Sequence, residues 1–146
     1  MITQVSRASL ARIYAAGYQG RVARACLALN PGSLTVESTT AAWDAAEITS
    51  QASYGYARVV WTIPGGAFST ADDLFLGQAQ NVVFTANASP QGLQYDTLYV
   101  VTGTASGGVT TWETYIEQVR VFSPSEALPS GLSITYPVEL VVDQYV

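Results

Sequence analysis

The chain of 146 residues has no histidine, no lysine and a single cysteine. Without histidine it cannot activate a nucleophile through a Ser-His or Cys-His pair, and it cannot build a histidine-ligated metal site. Without lysine it can form neither a Schiff base nor the lysine contact of a phosphate-binding loop. These absences exclude most hydrolase and transferase mechanisms, so we predict no enzyme activity, no catalytic residues and no cofactor.

Cys26 lies in the apolar segment RACLAL. A lone cysteine excludes a disulfide within the chain and a thiolate metal cluster. The apolar neighbours favour a small buried side chain over a reactive thiol. The sequence therefore predicts no metal site at this cysteine.

Charge is scarce as well. Charged residues make up 12% of the chain and hydrophobic residues 49%, so the charged share is about half of the usual one. Such a chain leaves much of its surface neutral and partly apolar, and extended apolar surface indicates a binding partner. The alternative is a neutral surface of Ser, Thr, Asn and Gln, which are plentiful here, but we favour permanent assembly with other protein subunits.

The few charges are unevenly placed. Arg7, Arg12, Arg21 and Arg24 give the first 24 residues a charge of +4, while the other 122 residues hold two arginines against eleven acids, a net charge of −9. A body this acidic repels phosphate backbones, so no nucleic-acid partner is expected. The four arginines either neutralise acidic surface of their own chain or bind acidic surface of a neighbour.

No window of the sequence approaches 18 uninterrupted apolar residues, so no membrane span is expected. The first residues lack the apolar core of a signal peptide. We therefore expect synthesis in the cytoplasm.

Hydrophobic periodicity predicts one helix and several strands. Residues 5–16 have a loosely helical pattern, and from residue 21 onward apolar residues recur with a period of two. The strand candidates are 21–29, 34–38, 54–63, 80–87, 93–103, 109–122 and 132–146, and 39–53 is interpreted as a long connection. This pattern predicts an all-β antiparallel sandwich, jelly-roll or immunoglobulin-like, over residues 22–146, preceded by an arm or helix over 1–21; a closed barrel is the alternative.

The segment YGYARVVWTI, residues 54–63, has two different faces when it is drawn as a strand. Val59, Trp61 and Ile63 form an ordinary core face, whereas Tyr54, Tyr56 and Arg58 form a face of large polar side chains. Tyrosine and arginine are enriched at the centres of protein interfaces, which favours a subunit contact.

Two alternatives for the Tyr54, Tyr56 and Arg58 face remain open. In the first, this face covers the acidic segment that holds Glu47. In the second, it is half-exposed and Arg58 pairs with Glu113 or Glu117 across strands.

Two pairs of carboxylates could in principle support acid–base chemistry. Glu113 and Glu117 are four residues apart in the 109–122 strand candidate, which is roughly 13 Å along a strand and too far for a glycosidase pair. Asp72 and Asp73 are adjacent in a polar segment, where such residues commonly form a turn or a weak cation site. Catalysis is therefore expected at neither pair.

The order of the segments resembles a family of small β-sandwich virion proteins of tailed bacteriophages, described as head-decoration or tail-fibre-like. The helix SLARIYAA is followed by the strand ACLALN, by Glu47 ahead of GYAR, by VVFTANASPQGLQYDTLYVVTG and by SGLSITYPVELVVDQ. The resemblance covers about residues 8–145, although each segment alone matches loosely.

This resemblance implies a non-catalytic virion protein, and first of all a capsid decoration protein that binds the major capsid protein or other virion proteins. It also implies a homo-oligomer, with a trimer favoured. The candidate partner-binding residues are Arg7, Arg12, Arg21, Arg24, Tyr54, Tyr56 and Arg58. The alternative is a tail-fibre or tail-tip component that binds glycans through exposed tyrosine and tryptophan.

Overall fold

The computed structural model describes residues 2–9, 21–48, 55–63, 68–71, 74–77, 80–86, 93–128, 131–138 and 141–143. The strands are β1 (Ile2–Val5), β2 (Val22–Ala28), β3 (Val59–Thr62), β4 (Phe68–Ala71), β5 (Leu74–Gly77), β6 (Gln80–Thr85), β7 (Leu93–Ser106), β8 (Val109–Trp112), β9 (Gln118–Leu128), β10 (Ser133–Val138) and β11 (Val141–Asp143). Helix α1 comprises Thr40–Ala46.

All the strand pairings in this part of the chain are antiparallel. The main sheet has the order β1-β9-β7-β2-β3, and β8 also pairs with β7. Strands β6 and β10 form a second sheet, and β4, β5 and β11 form a third. The predicted all-β sandwich is confirmed.

Both faces of the main sheet are covered. Alternate residues of β2 point to opposite faces of the sheet. Ala23, Ala25 and Leu27 pack in the first core, and Cys26 and Ala28 pack in the second. The other buried members of the first core are Ile48, Tyr56, Ile63, Val82, Phe84, Tyr95, Leu98, Val100, Phe122, Leu128, Tyr136 and Val138. Those of the second core are Trp43, Tyr99, Val101, Ile116 and Val119. The β6–β10 sheet thus closes the first core, and α1 covers the second.

Residues 109–122 do not form one strand, contrary to the prediction. Strand β8 pairs with the end of β7 through a two-residue turn whose glycines, Gly107 and Gly108, both have positive φ, as such hairpins require. The chain then leaves the sheet at Glu113 and returns at Gln118 to pair with the first half of β7. The excursion is held by α1, because the backbone N–H of Thr40 donates to the carbonyl of Thr114 at 2.7 Å.

Two other predictions also need correction. Residues 40–46, expected in a long connection, form α1, whose N-cap Thr39 accepts a hydrogen bond from the N–H of Ala42. Residues 34–38, expected to be a strand, form turns that bring the carbonyl of Thr35 to the indole N–H of Trp43, at 3.0 Å. Helix α1 was not predicted because a helix of only two turns has too few residues to show a hydrophobic period.

The N-terminal segment is partly in the sheet. Residues 2–5 form β1 and pair with β9 from Ile2↔Val121 to Val5↔Gln118. Residues 7–9 are helical, so the predicted helix starts later than residue 5, and the rest of it lies outside the described residues. The predicted arm is therefore, over residues 2–5, an edge strand of the main sheet.

Candidate functional site

A network of ion pairs lies beside the second core, and Arg24 is at its centre. The guanidinium of Arg24 is 1% exposed, and its Nη2 donates to both carboxylate oxygens of Asp44, at 2.9 and 2.8 Å. The hydroxyl of Tyr99 donates to Asp44 Oδ1 at 2.8 Å. This carboxylate therefore fixes α1 to the middle of the main sheet through charge-assisted hydrogen bonds.

The second half of the network surrounds Glu47, whose side chain is fully buried. Arg58 donates from Nε and Nη2 to this carboxylate, with distances of 2.6–3.1 Å. Tyr56 donates its hydroxyl to Glu47 Oε1 at 2.8 Å and accepts the N–H of Leu27 at 2.9 Å. Strand β3 pairs with β2 only from Val22 to Ala25. The hydroxyl of Tyr56 therefore satisfies an N–H of β2 that has no partner on β3.

The two halves meet where Arg58 Nη2 lies 3.9 Å from Asp44 Oδ1. Two arginines and two carboxylates make the network neutral, which suits a site where Arg24 and Glu47 are buried, although Arg58 and Asp44 are partly exposed. The network connects β2 with α1 and with the segment that leads into β3. Its arrangement is that of a brace between separate parts of the chain.

Trp112 covers the other side of the Arg24 guanidinium, with 4.7 Å between the guanidinium carbon and the centre of the ring. The ring fits because residue 103 on the paired strand is glycine: a Cβ there would lie 2.5 Å from the carbonyl oxygen of Thr111 and 3.0 Å from the ring. Arg24 Nε and Nη1 have no hydrogen-bond partner within the described ranges. Arg24 is thus held chiefly by Asp44 and by the indole.

Burial raises the pKa of several tyrosine hydroxyls above the ordinary value for tyrosine. The group comprises Tyr56, Tyr95, Tyr99 and Tyr136, and loss of hydration is the largest cause for each. The same cause raises the pKa of the Cys26 thiol. Each of these groups stays protonated in the folded state at a pH at which the unfolded chain ionises.

These shifts predict an alkaline loss of stability. Each raised pKa contributes stability that is fully present below the pKa of the unfolded group and is lost above it. For a tyrosine the loss begins near pH 10, with a slope of about 1.4 kcal/mol per pH unit. Above pH 10 the free energy of unfolding is expected to fall less steeply with pH in Tyr99→Phe than in wild type, and the two slopes are expected to differ by about 1.4 kcal/mol per pH unit. Urea denaturation at a series of pH values measures both slopes. An unchanged slope would contradict the assignment.

The structure separates the seven predicted partner-binding residues. Arg21 pairs with Glu113, and Arg24, Tyr56 and Arg58 belong to the network. Arg7 is the most open of these arginines, with a side chain 86% exposed and its Nε 3.5 Å from a Glu37 oxygen. Arg12 and Tyr54 lie outside the described residues.

The interpretation of 54–63 changes accordingly. Val59, Trp61 and Ile63 pack against the first core, as predicted. Tyr56 does not stand on an exposed face but is 4% exposed, and Arg58 pairs with Glu47 and not with Glu113 or Glu117. The structure therefore agrees with the first alternative, in which Tyr56 and Arg58 cover the acidic segment that holds Glu47.

Glu113 and Glu117 do not form a pair on one strand face, because both lie in the excursion between β8 and β9. Glu117 is buried and accepts a hydrogen bond from the hydroxyl of Thr102 at 2.6 Å. Among the described residues no group of three His, Cys, Asp or Glu side chains could hold a metal ion. Asp72 and Asp73 lie outside those residues.

Sequence reasoning did not find the outer face of the β6–β10 sheet. Three cross-strand pairs point outward there, Asn81 with Pro137, Val83 with Thr135, and Thr85 with Ser133. All six residues are exposed and none is charged. We call this surface the neutral face.

An open groove of about 690 Å³ lies between β9 and the β10 edge of the second sheet. It is lined by Gln4, Val121, Phe122, Ser123, Glu126, Ile134 and Tyr136. The rings of Phe122 and Tyr136 are 5.1 Å apart, and the hydroxyls of Tyr136 and Tyr95 are 2.6 Å apart. Its lining combines aromatic, aliphatic and polar groups with one carboxylate.

Comparisons with protein-family models, with curated proteins and with solved structures found no match to this chain. In the described part of the chain, no helix has both the length and the hydropathy needed to cross a membrane.

Proposed function

We propose that this protein is a structural component of a tailed-bacteriophage particle and that it decorates the capsid surface through non-catalytic contacts. The observation that carries the proposal is the internal use of charge. Arg21, Arg24 and Arg58 each pair with a carboxylate of the same chain. These ion pairs connect the main sheet to the segments that cover it. The few charged residues of the chain therefore stabilise its own fold.

A second observation concerns the remaining surface. Apolar side chains are exposed at Val60, Val83, Val109 and Leu132, among others. A rigid sandwich with apolar and uncharged outer residues suits attachment by shape and burial rather than by long-range charge. The resemblance of the segment order to that of small phage virion proteins favours the same role.

The proposal also changes the part expected of the N-terminal arginines. Arg21 and Arg24 already have carboxylate partners within the chain, whereas Arg7 is paired only at the open surface. Of the described N-terminal arginines, Arg7 is therefore the one that can exchange its partner for an acidic group of the capsid at little cost.

Capsids that lack this protein provide the test. We expect the purified chain to bind such capsids saturably, at a fixed ratio to the major capsid subunit, because equivalent capsid positions repeat by symmetry. Co-sedimentation followed by quantitative gel analysis measures that ratio. Binding without saturation, or no binding by a chain that is folded by circular dichroism, would contradict the proposal. An unrelated β-sandwich of similar acidity is the matched control for non-specific sedimentation.

The groove beside β9 favours a second candidate, a tail component that binds surface glycans. Polar groups beside an apolar wall offer hydrogen bonds and apolar contact to a sugar. Here Glu126, Gln4 and Ser123 supply the polar groups, and Val121 and Ile134 lie beside the buried rings of Phe122 and Tyr136. The two candidates differ in copy number, because a capsid protein repeats over the whole shell and a tail component does not.

A further inference from the structure

The N-terminal strand β1 is attached to the sandwich mainly by its backbone. It pairs with β9 along its whole length. Thr3 and Gln4 are exposed, and among the side chains of β1 that the structure describes, none belongs to either hydrophobic core. A terminal element with so few apolar contacts can separate from its sheet at a small cost in free energy.

Ser6, directly after β1, makes this attachment specific. Its hydroxyl donates to the carbonyl of Ile116 at 2.5 Å, and its N–H donates to the carbonyl of Glu117 at 2.9 Å. Ser6 is fully buried there. We call residues 2–6 the donor strand, and the outer edge of β9 together with these two carbonyls the acceptor edge. Without a donor strand, the acceptor edge loses these hydrogen bonds, which is costly for buried carbonyls and leaves an open sheet edge.

The donor strand lies far from the strand that follows it in the chain. In the main sheet, β9 and β7 lie between β1 and β2, so β1 and β2 are three strand spacings, or about 14 Å, apart. A segment as long as residues 10–21 can reach about 40 Å when it is extended. The connection is therefore long enough to bring the donor strand to the acceptor edge of its own copy or of an adjacent one.

We propose that the acceptor edge binds the donor strand of a second copy, so that adjacent copies exchange their N-terminal strands. The occupant follows from the contacts already described, because the same residues form the same hydrogen bonds within one copy and between two. Exchange of an identical element loses no contact, and it is a low-cost route to an oligomer. The strand of the same copy is favoured in dilute solution, and exchange is favoured where copies are concentrated or held side by side.

The acceptor edge matches this donor strand better than an unrelated peptide. The donor strand is uncharged, with the sequence ITQV before its serine. The next residue, Arg7, contacts Glu37 through its N–H at 2.9 Å and through its guanidinium at 3.5 Å. A partner strand must therefore supply an uncharged segment, then a hydroxyl, then a basic residue. A second copy supplies all three in the right order.

A disulfide across the donor strand and the acceptor edge tests the proposal. Thr3 lies opposite Arg120 in the pairing of β1 with β9, at a spacing that a disulfide can bridge. In oxidised Thr3→Cys/Arg120→Cys, an intrachain bond leaves a monomer on a non-reducing denaturing gel, and exchange gives a covalent dimer. The dimer fraction is expected to rise at least tenfold between about 10 μM and about 1 mM protein. The native Cys26 is buried and does not compete.

Two controls separate exchange from chance collision. Each single variant, Thr3→Cys or Arg120→Cys, reports the dimer that collision alone produces. Adding Ser6→Pro to the double variant removes both the hydroxyl and the N–H of the donor strand, and it is expected to reduce the covalent dimer to that level. Circular dichroism checks that every variant is folded.

Three results would overturn the proposal: an intrachain bond alone at every concentration, a covalent dimer that the controls form equally well, and a folded double variant that forms neither bond. The inference does not depend on the capsid proposal. A chain that exchanges strands but ignores capsids refutes only the decoration role, and a chain that binds capsids without exchange refutes only the exchange.

Discussion

Replacement of Arg24 by alanine is expected to lower the free energy of unfolding by about 3–5 kcal/mol. The change leaves a cavity under the Trp112 ring and leaves Asp44 with Tyr99 as its closest remaining hydrogen-bond donor. Urea denaturation measures the loss. Arg7→Ala, at the open surface, is the matched control and is expected to stay within about 0.5 kcal/mol of wild type.

Arg24→Met separates packing from charge in the same site. Methionine keeps much of the contact with Trp112 and removes the two donor nitrogens that have no partner among the described residues. We expect it to cost about half as much as alanine, because apolar replacement of a buried charge recovers part of the lost stability. A loss in Arg24→Ala no larger than that in Arg7→Ala would contradict the description of the network as a brace.

Gly103→Ala is expected to have the second largest effect, a loss of about 3 kcal/mol from overpacking. The new methyl group would lie 2.5 Å from the backbone oxygen of Thr111, so β7 and β8 must separate or Trp112 must move away from Arg24. Either movement weakens the contact between the Trp112 ring and the Arg24 guanidinium. Chemical denaturation measures the loss, and the fluorescence of the tryptophans reports the displaced ring.

The hairpin glycine Gly107 provides the control for Gly103→Ala. A Cβ at Gly107 meets no atom within 4 Å, and its φ is +60°, which asparagine tolerates in such turns. Gly107→Asn is therefore expected to stay within about 0.5 kcal/mol of wild type. Equal losses in the two variants would show that the hairpin as a whole, and not the crowding at Gly103, determines the effect.

The strands were the predictable part of the fold, because their signals are local. Strand β2 lies within the predicted 21–29 segment, which ends at Asn30-Pro31-Gly32, and β3 has Val59 and Trp61 facing the core as the alternation requires. The excursion at 113–117 was not predictable in this way. It exists because α1 holds the backbone of Thr114, and that contact joins residues far apart in sequence.

The network was hidden for a related reason. Arg24 stands in an alternating apolar strand, and nothing in RVARACLAL shows that both faces of this strand are buried. Its partner Asp44 lies on a two-turn helix that the period did not reveal. The available signal was Thr39 followed by an alanine-rich segment, which is a helix N-cap pattern.

The neutral face was partly predictable. The alternation of Val82 and Phe84 with Val83 and Thr85 assigns the inward and outward sides of β6 from sequence alone. The pairing of β6 with β10 joins segments about 50 residues apart and depends on tertiary structure. Only that pairing makes two short uncharged strands into one surface.

The most direct measurement of the proposed role is a cryo-microscopy reconstruction of the phage particle that carries this protein. The proposal predicts density of the size and shape of this sandwich at every equivalent position of the capsid surface. Density confined to the tail, or a capsid shell without it, would contradict a decoration role; tail density would direct attention to the groove beside β9.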